Sequence, residues 1–233
     1  MRYAIGDIHG CYKTLLKLLN DNLGIGQDDE LYFVGDFIDR GPGSRQVVDY
    51  LLELKSAGYH VYAVRGNHEE MLLDAWQNQT YDQFILWMMN GAESTLKSYG
   101  IETYQQMEEA VVNELPGSHL DFYRKLPYYI ELEDYIIVHA GINFQADEPF
   151  KDTRSMVWCR DCRNHFELSG HRAIVCGHTP TPLESIRKRV KKKNSDEFNV
   201  DAGCVYKGHD GMGNLVALDL DSLTIHWEVN IDF

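Results

Sequence analysis

The acids and histidines that could do chemistry fall into five short runs. They are Gly6-Asp7-Ile8-His9-Gly10, Gly35-Asp36-Phe37-Ile38-Asp39-Arg40-Gly41, Arg65-Gly66-Asn67-His68-Glu69, Val138-His139-Ala140-Gly141 and Cys176-Gly177-His178-Thr179. Together they supply Asp7, His9, Asp36, Asn67, His139 and His178. These are the mixed nitrogen and oxygen donors needed to hold two divalent cations ~3.5–4 Å apart with one ligand shared. Asp7 and His9 point the same way if residues 7–9 are extended, because side chains alternate with period two. Asp36 can bridge both ions, Asn67 offers a neutral carbonyl oxygen, and His139 and His178 offer imidazole nitrogen. A donor set without thiolate suits Mn²⁺, Fe or Zn²⁺ better than Mg²⁺ or Ca²⁺, and Mn²⁺ is the ion expected to work first in vitro. Taken one at a time, each run could be an ordinary turn, its aspartate capping a helix and its histidine closing a core hydrogen bond. Their order and common setting argue for a dimetal centre.

A water shared by two cations is acidified toward neutrality and becomes a nucleophile. It would attack phosphorus in line, without a covalent enzyme intermediate. The departing alkoxide then needs a proton. His68 follows Asn67 directly and so reaches the same cavity from another angle. Asp39 can accept its ring N–H, orient it and favour its protonated form. Arg40, next to Asp39, can fork onto phosphate oxygens.

The elements that must position these residues can be read from pattern. Tyr3–Ile5, Leu31–Val34 and His60–Val64 are short runs of β-formers that end at the first three motifs. Between them, Tyr12–Asn20 and Gln46–Ser56 carry leucines and valines at helical spacing. This β-α-β-α-β order predicts a parallel sheet with right-handed crossovers. Polar loops past the strand ends are where open α/β sheets bind ligands. From Glu69 to Tyr123 the composition shifts to acids and amides mixed with Trp76, Phe84, Trp87, Met88 and Met89. This predicts a helical insertion over about residues 70–125, its aromatic and Met stripe serving as core. Tyr128–Glu133, Tyr135–His139 and Ala173–Cys176 read as strands. Glu184–Val190, a turn at Lys193–Ser195, Phe198–Val200, Leu215–Asp219 and Thr224–Val229 read as antiparallel strands of a second sheet. The expectation is one domain spanning 1–233.

Composition sets the outer limits. With 44% hydrophobic and 25% charged residues the chain matches an ordinary globular protein. A formal charge of -14 disfavours a general binder of nucleic acid or anionic membranes. No apolar stretch is long enough to span a bilayer. Met1–Ile5 runs straight into the first motif, which predicts no signal peptide. Five scattered cysteines argue against a disulfide framework and for a cytoplasmic location. Cys159 and Cys162 read as two free thiols, since a structural zinc usually needs four ligands. Cys11 reads as a small buried residue, with oxidation sensitivity near the metals as the other reading. The basic run Arg187, Lys188, Arg189, Lys191, Lys192 and Lys193 reads as a solvated hairpin tip or, alternatively, as an anion-attracting lip.

The five motifs resemble the phosphoprotein phosphatase family of metallophosphoesterases, from Gly6 to about Gly208. They look closest to its bacterial and phage branch. The resemblance implies an α/β fold: a β-sandwich of two mixed sheets flanked by helices, with a dimetal site on its edge. It assigns the first metal to Asp7, His9 and Asp36, and the second to Asp36, Asn67, His139 and His178. Trp158-Cys159-Arg160 resembles a Trp-x-Arg element of that branch and implies a second phosphate clamp at Arg160, which otherwise is a surface arginine. Asn67 would also touch the substrate phosphate. The implied activity is hydrolysis of phosphate monoesters, as in serine/threonine protein phosphatases. Symmetrical diadenosine tetraphosphate hydrolysis is the alternative, and a non-catalytic binding module on the same fold the remote one. Asp39 and Glu69 match the phosphatase pattern, whereas Gly41-Pro42-Gly43-Ser44 and His139-Ala140-Gly141-Ile142 look like the hydrolase pattern. Phosphorylated proteins or small phosphoesters are the partners this implies, with neither nucleic acid nor membrane among them.

Overall fold

The computed structural model describes residues 1–78, 80–101, 115–162, 164–192 and 195–233. Its first third follows the predicted alternation. Strands β1 (Arg2–Ile5), β2 (Glu30–Phe33) and β3 (His60–Ala63) are parallel neighbours. Helix α1 (Tyr12–Leu16), continued by a π-helical stretch at Lys17–Leu23, and helix α2 (Ser44–Ser56) make the crossovers. Leu15, Leu18 and Leu19 on the first crossover, and Val47, Val48, Leu51 and Leu54 on the second, are buried. That is the apolar stripe their spacing requires.

The helical segment follows as α3 (Asn67–Asn78), α4 (Tyr81–Met89), α5 (Ala92–Ser98) and α6 (Gly117–Lys125). Residue 79 and residues 102–114 of the predicted insertion lie outside the described residues. Phe84 and Trp87 are buried as expected, but Met89 is 81% exposed and is not core.

Strands β4 (Tyr129–Glu131), β5 (Tyr135–Val138), β6 (Ala173–Cys176) and β7 (Glu197–Asn199) form the second sheet in that order. Helix α7 (Thr153–Trp158) precedes β6, and helix α8 (Leu183–Val190) separates β6 from β7. Strands β8 (Asn214–Asp219) and β9 (Thr224–Val229) return to the first sheet, which runs β3-β2-β1-β8-β9. Two expectations are corrected here. Residues 184–190 are helix, not strand: only Ile186 and Val190 of this segment are buried, one turn apart, with Glu184 in the first turn and Arg187, Lys188 and Arg189 in the last. The second sheet is also not a set of late antiparallel strands, because β7 lies parallel to β6 while β8 pairs antiparallel with β1. Residues 193 and 194 of the expected turn lie outside the described residues.

The layers explain where the site falls. Ala4, Tyr32 and Val34 on one face of the first sheet meet Ile137, Val175 and Phe198 of the second. The opposite face of the first sheet, with Ile5, Leu31 and Phe33, is covered by the helices that carry Leu15, Leu51 and Trp87. Ile136, Val138 and Ile174 on the far face of the second sheet pack on Met156 of α7. Strands buried on both faces read as continuous apolar runs, which β5 and β6 are. Within the first sheet Ile5 stands opposite Phe33, and Phe33 opposite Ala63. The loops after β1, β2 and β3 therefore start level with one another and converge at one edge.

Candidate active site

Asp36 lies at the centre of the converging loops. Its Oδ2 is 3.5 Å from His9 Nε2 and 3.9 Å from His68 Nε2, and its Oδ1 is 3.5 Å from His139 Nε2. Asn67 Oδ1 lies 2.9 Å from His139 Nε2 and 3.0 Å from His178 Nδ1. Asp7 Oδ2 accepts the His178 backbone N–H at 3.0 Å. The six residues expected to hold metal thus share one buried cluster. Two groups have ligand atoms within 4.8 Å of one another: His9, Asp36 and His68, and Asp36, His139 and His178. The first group differs from the expected one in holding His68 where the sequence reading had Asp7.

Backbone carbonyls set the tautomers of His9 and His139. His9 Nδ1 is 2.9 Å from the Ile38 carbonyl and His139 Nδ1 is 2.8 Å from the Val34 carbonyl. A carbonyl only accepts, so each Nδ1 carries the hydrogen and each neutral ring turns its Nε2 lone pair toward Asp36. Lone pairs facing a carboxylate repel unless a cation or a proton stands between them. Asp7 Oδ1 and His178 Nε2 are buried with no hydrogen-bond partner. Arg40 Nη1 donates to His9 Nε2 at 2.7 Å, a cationic group already taking one of these lone pairs. The donor set and its orphaned inward-facing atoms fit divalent cations.

Charge separates the histidines into two kinds. Burial is the main force lowering His9 and His139, and burial with the His139 charge takes His178 down to about 4. These rings are neutral, as ligands must be. Burial also opposes the charged form of His68, but the Asp36 charge and the hydrogen bond to Asp39 outweigh it and raise its pKa. Burial likewise resists ionisation of Asp36, yet His139, His68, His9 and His178 around it hold its carboxyl below the usual range. Asp7 is pushed well up, first by burial and then by the nearby Asp201 and Asp36 charges.

His68 belongs to a second arrangement. Its Nδ1 lies 2.6 Å from Asp39 Oδ2. The same oxygen accepts the Trp87 indole N–H at 2.9 Å, and Asp39 Oδ1 accepts the Thr95 hydroxyl at 2.7 Å. Trp87 comes from α4 and Thr95 from α5, so the helical segment completes the dyad as well as covering the sheet. Arg40 is held by the same segment: its backbone N–H donates to the Gly91 carbonyl at 3.1 Å, and its guanidinium lies 5.6 Å from the Tyr206 ring centre.

The scaffold beneath is made of backbone bonds and tight glycines. Glu69 is buried, and its carboxylate accepts the N–H groups of Asp36, Phe37 and Gly66, each at 2.9 Å. Burial and the Asp36 charge push this carboxyl up to about 8, against the three amides that favour its ionised form. A side chain at Gly66 would run into Asp36, and one at Gly177 into Asp7. His9, Asp36, Asp39, Arg40 and His178 all have positive φ, between 47° and 71°. Such backbone is costly for residues with a Cβ and gathers where function requires it.

The remaining predicted residues fall around this centre. Arg160 is exposed, just past α7; it lines a cavity of about 370 Å³ together with Gly177 and Thr179, which flank His178. The Trp158 ring stands edge-on to His178 at 6.3 Å. Cys159 and Cys162 are joined in a disulfide, which corrects the expectation of free thiols; three residues apart, with their Cα atoms 5.7 Å from each other, they close a short loop over Arg160 and Asp161. Cys11 is buried and unpaired, with Asn230 Nδ2 3.2 Å from its sulfur. The basic run is divided: Arg187 lies over the Trp227 ring at 5.0 Å, Lys191 lines a separate cavity beside β9, and among the described residues of the run Arg189 alone lines the cavity that holds Arg160; Lys193 lies outside them. Sequence reading missed Trp87, Thr95 and Asp201 as parts of the site. Asp201 is buried two residues past β7, and burial raises its carboxyl to about 7. An acid just past a strand end, as at Asp7 and Asp36, was the available signal.

Comparison with known proteins agrees with this geometry. The model of the calcineurin-like phosphoesterase family matches residues 3–210. The serine/threonine-protein phosphatase 1 of Salmonella typhimurium is 31% identical over 88% of both chains. The asymmetrical bis(5'-nucleosyl)-tetraphosphatase of a Geobacillus strain is 30% identical over 88% of this chain and 86% of its own. A protein serine/threonine phosphatase structure from Saccharomyces cerevisiae superposes with a TM-score of 0.66 at 15% identity, covering 99% of this chain and 80% of that one. With its sandwich of mixed sheets and its edge cluster of acids and imidazoles, the chain belongs to the calcineurin-like phosphoesterase family of metal-dependent phosphoester hydrolases.

Proposed function

We propose that this chain hydrolyses phosphate monoesters, with phosphoserine and phosphothreonine in proteins as its first substrate class. The observation that carries this reading is the His68–Asp39 pair at 2.6 Å. An alkoxide leaving group needs a proton, and among the clustered histidines His68 is the one whose surroundings raise its pKa. Asp39 fixes the ring, and the opposite nitrogen, Nε2, is buried without a hydrogen-bond partner 3.9 Å from Asp36 Oδ2. His68 then serves as general acid and Asp39 as its orienting partner. Asp7, His9 and Asp36 would hold one cation, and Asp36, Asn67, His139 and His178 the other. When bound, such ions supply Lewis acidity toward phosphoryl oxygens and activate water. Mn²⁺ is the first to add, and Fe and Zn²⁺ share the donor preference. Arg40 and Arg160 would bind phosphate oxygens. The Salmonella typhimurium phosphatase supports this reading, and we expect the protein to work in the cytoplasm.

The Geobacillus tetraphosphatase, nearly as similar, favours a second reading: hydrolysis of dinucleoside polyphosphates. A nucleoside polyphosphate leaves with less help from an acid, which makes the dyad less necessary there. A phosphopeptide and diadenosine tetraphosphate should be compared side by side with Mn²⁺. The phosphomonoesterase reading expects the higher kcat/KM for the peptide. A tenfold preference for the dinucleotide would replace it with the second reading.

A further inference from the structure

The basic run has no place in the chemistry above, yet one of its members turns toward the site. Arg189 lies in the last turn of α8 and shares the 370 Å³ cavity with Arg160. Thr179, Thr181 and Ser185 add hydroxyls to the lining, and the cavity adjoins the loop that carries His178. Its volume falls in the range of small-ligand pockets, roughly 300–1,000 Å³. Among the described residues Arg160 makes no ion pair with an acid. Arg189 donates Nε to the Glu197 carbonyl at 3.2 Å and sets Nη2 3.5 Å from Asp196, where both side chains are nearly half exposed. Exposed pairs of this kind are weak, ~0–1 kcal/mol, so the carbonyl bond aims the guanidinium while much of its charge stays available. The one acid on the wall, Glu197, accepts the Asn164 backbone N–H at 3.3 Å.

We propose that this cavity is a subsite for a second phosphate of the substrate, with Arg189 as its specificity-determining residue and Arg160 between it and the reacting phosphate. The inference rests on the phosphoesterase reading of the neighbouring centre. Guanidinium groups with hydroxyl donors suit the tetrahedral oxygens of a phosphate, which Arg binds bidentately. The second phosphate can come from another phosphorylated residue on the same peptide or from the phosphate chain of a dinucleotide.

The test uses the intact protein with Mn²⁺, as wild type, Arg189→Gln and Arg189→Lys. The substrates are a singly phosphorylated peptide, versions with a second phosphate two to five residues away (a reach of ~3.3–3.6 Å per residue), and diadenosine tetraphosphate. In the wild type, at one spacing or for the dinucleotide, the extra phosphate should raise kcat/KM about tenfold through KM, the effect of one charge-assisted contact. Arg189→Gln should remove that gain and Arg189→Lys keep part of it. A gain confined to the peptide identifies a second phosphorylated residue as the source, and one confined to the dinucleotide identifies the phosphate chain. If no substrate with an extra phosphate gains in the wild type, or if the gain is the same in Arg189→Gln, the subsite does not exist. If the singly phosphorylated peptide is not turned over while the dinucleotide is, the phosphomonoesterase reading fails. The KM of Arg189→Gln for the dinucleotide then still decides the subsite.

Discussion

Two regions meet at the reacting centre and are built by different means. The strand-end loops bearing the proposed ligands are held by backbone: Ile8 and His9 N–H donate to the Asp36 carbonyl, and Glu69 gathers three further amides. The His68–Asp39 dyad is held by side chains from elsewhere, the Trp87 indole and the Thr95 hydroxyl, 48 and 56 residues along the chain from Asp39. The loops carry their own geometry in contiguous motifs. The dyad borrows its geometry from the helical segment. Damage to a loop should therefore abolish metal binding, whereas damage to the helical segment should detune proton delivery and leave the ions in place.

The largest effect should come from Asp36→Asn. Asp36 faces three imidazole nitrogens at 3.5–3.9 Å, so its replacement should weaken both ion sites and leave almost no activity. Activity assays paired with elemental analysis of the purified variant check this. In the wild type, chelation with EDTA should inactivate and added Mn²⁺ restore. Loss of a single ion from Asp36→Asn would show that the carboxylate is not shared.

His68→Asn should keep its metal content and slow alkyl phosphate hydrolysis by roughly 10²–10⁴-fold. The loss should shrink for p-nitrophenyl phosphate, whose leaving group hardly needs a proton. Equal losses on both substrates would move His68 out of the dyad and into the ligand set, as its 3.9 Å approach to Asp36 allows geometrically. Asp39→Asn should act in the same direction and more mildly.

Replacing Trp87 by Phe or Thr95 by Val tests the borrowed half of the comparison directly. Each removes one donor to the buried Asp39 carboxylate, a cost of about 1–3 kcal/mol in stability. The rate on alkyl esters should fall about tenfold, as for other supporting hydrogen bonds at catalytic centres, with metal content unchanged. Thermal unfolding and the ratio of alkyl to p-nitrophenyl rates read these two effects apart. A loss of metal in either variant would erase the distinction between the regions.

The smallest effect is expected from Lys191→Gln with Lys192→Gln. Lys191 lines the cavity beside β9, away from Arg160. KM for acidic phosphopeptides should change by less than about twofold, since exposed charges are screened within ~8 Å at physiological ionic strength. A clear rise in KM at low salt would reinstate the whole run as a lip.

The same division governs what the sequence could tell. The parallel β1-β2-β3 order and the gathering of Asp7, Asp36, Asn67, His139 and His178 were legible, because each proposed ligand sits beside the strand that places it. Trp87 and Thr95 were not legible as dyad supports: their link to Asp39 is made only by the packing of α4 and α5. Residues 184–190 were read as a strand and are helix. The helical signals were present in Ile186 and Val190 one turn apart and in the run from Glu184 to Arg189. The Cys159–Cys162 pairing was missed because spacing alone does not distinguish two thiols from a bridge.

The Glu69 clamp has a consequence for how ions enter. Some small metal sites exist only once the ion has organised the chain, so that chelation unfolds them. Here the amides of Asp36, Phe37 and Gly66 are already tied to one buried carboxylate, and the strands beneath them are closed by an apolar core. Ion binding therefore draws on a receptor that folding has prepared, and an ion held there stabilises the folded chain by mass action rather than by organising it. Metal exchange should be possible without refolding, and the ion in residence should follow local supply as much as the protein's own preference.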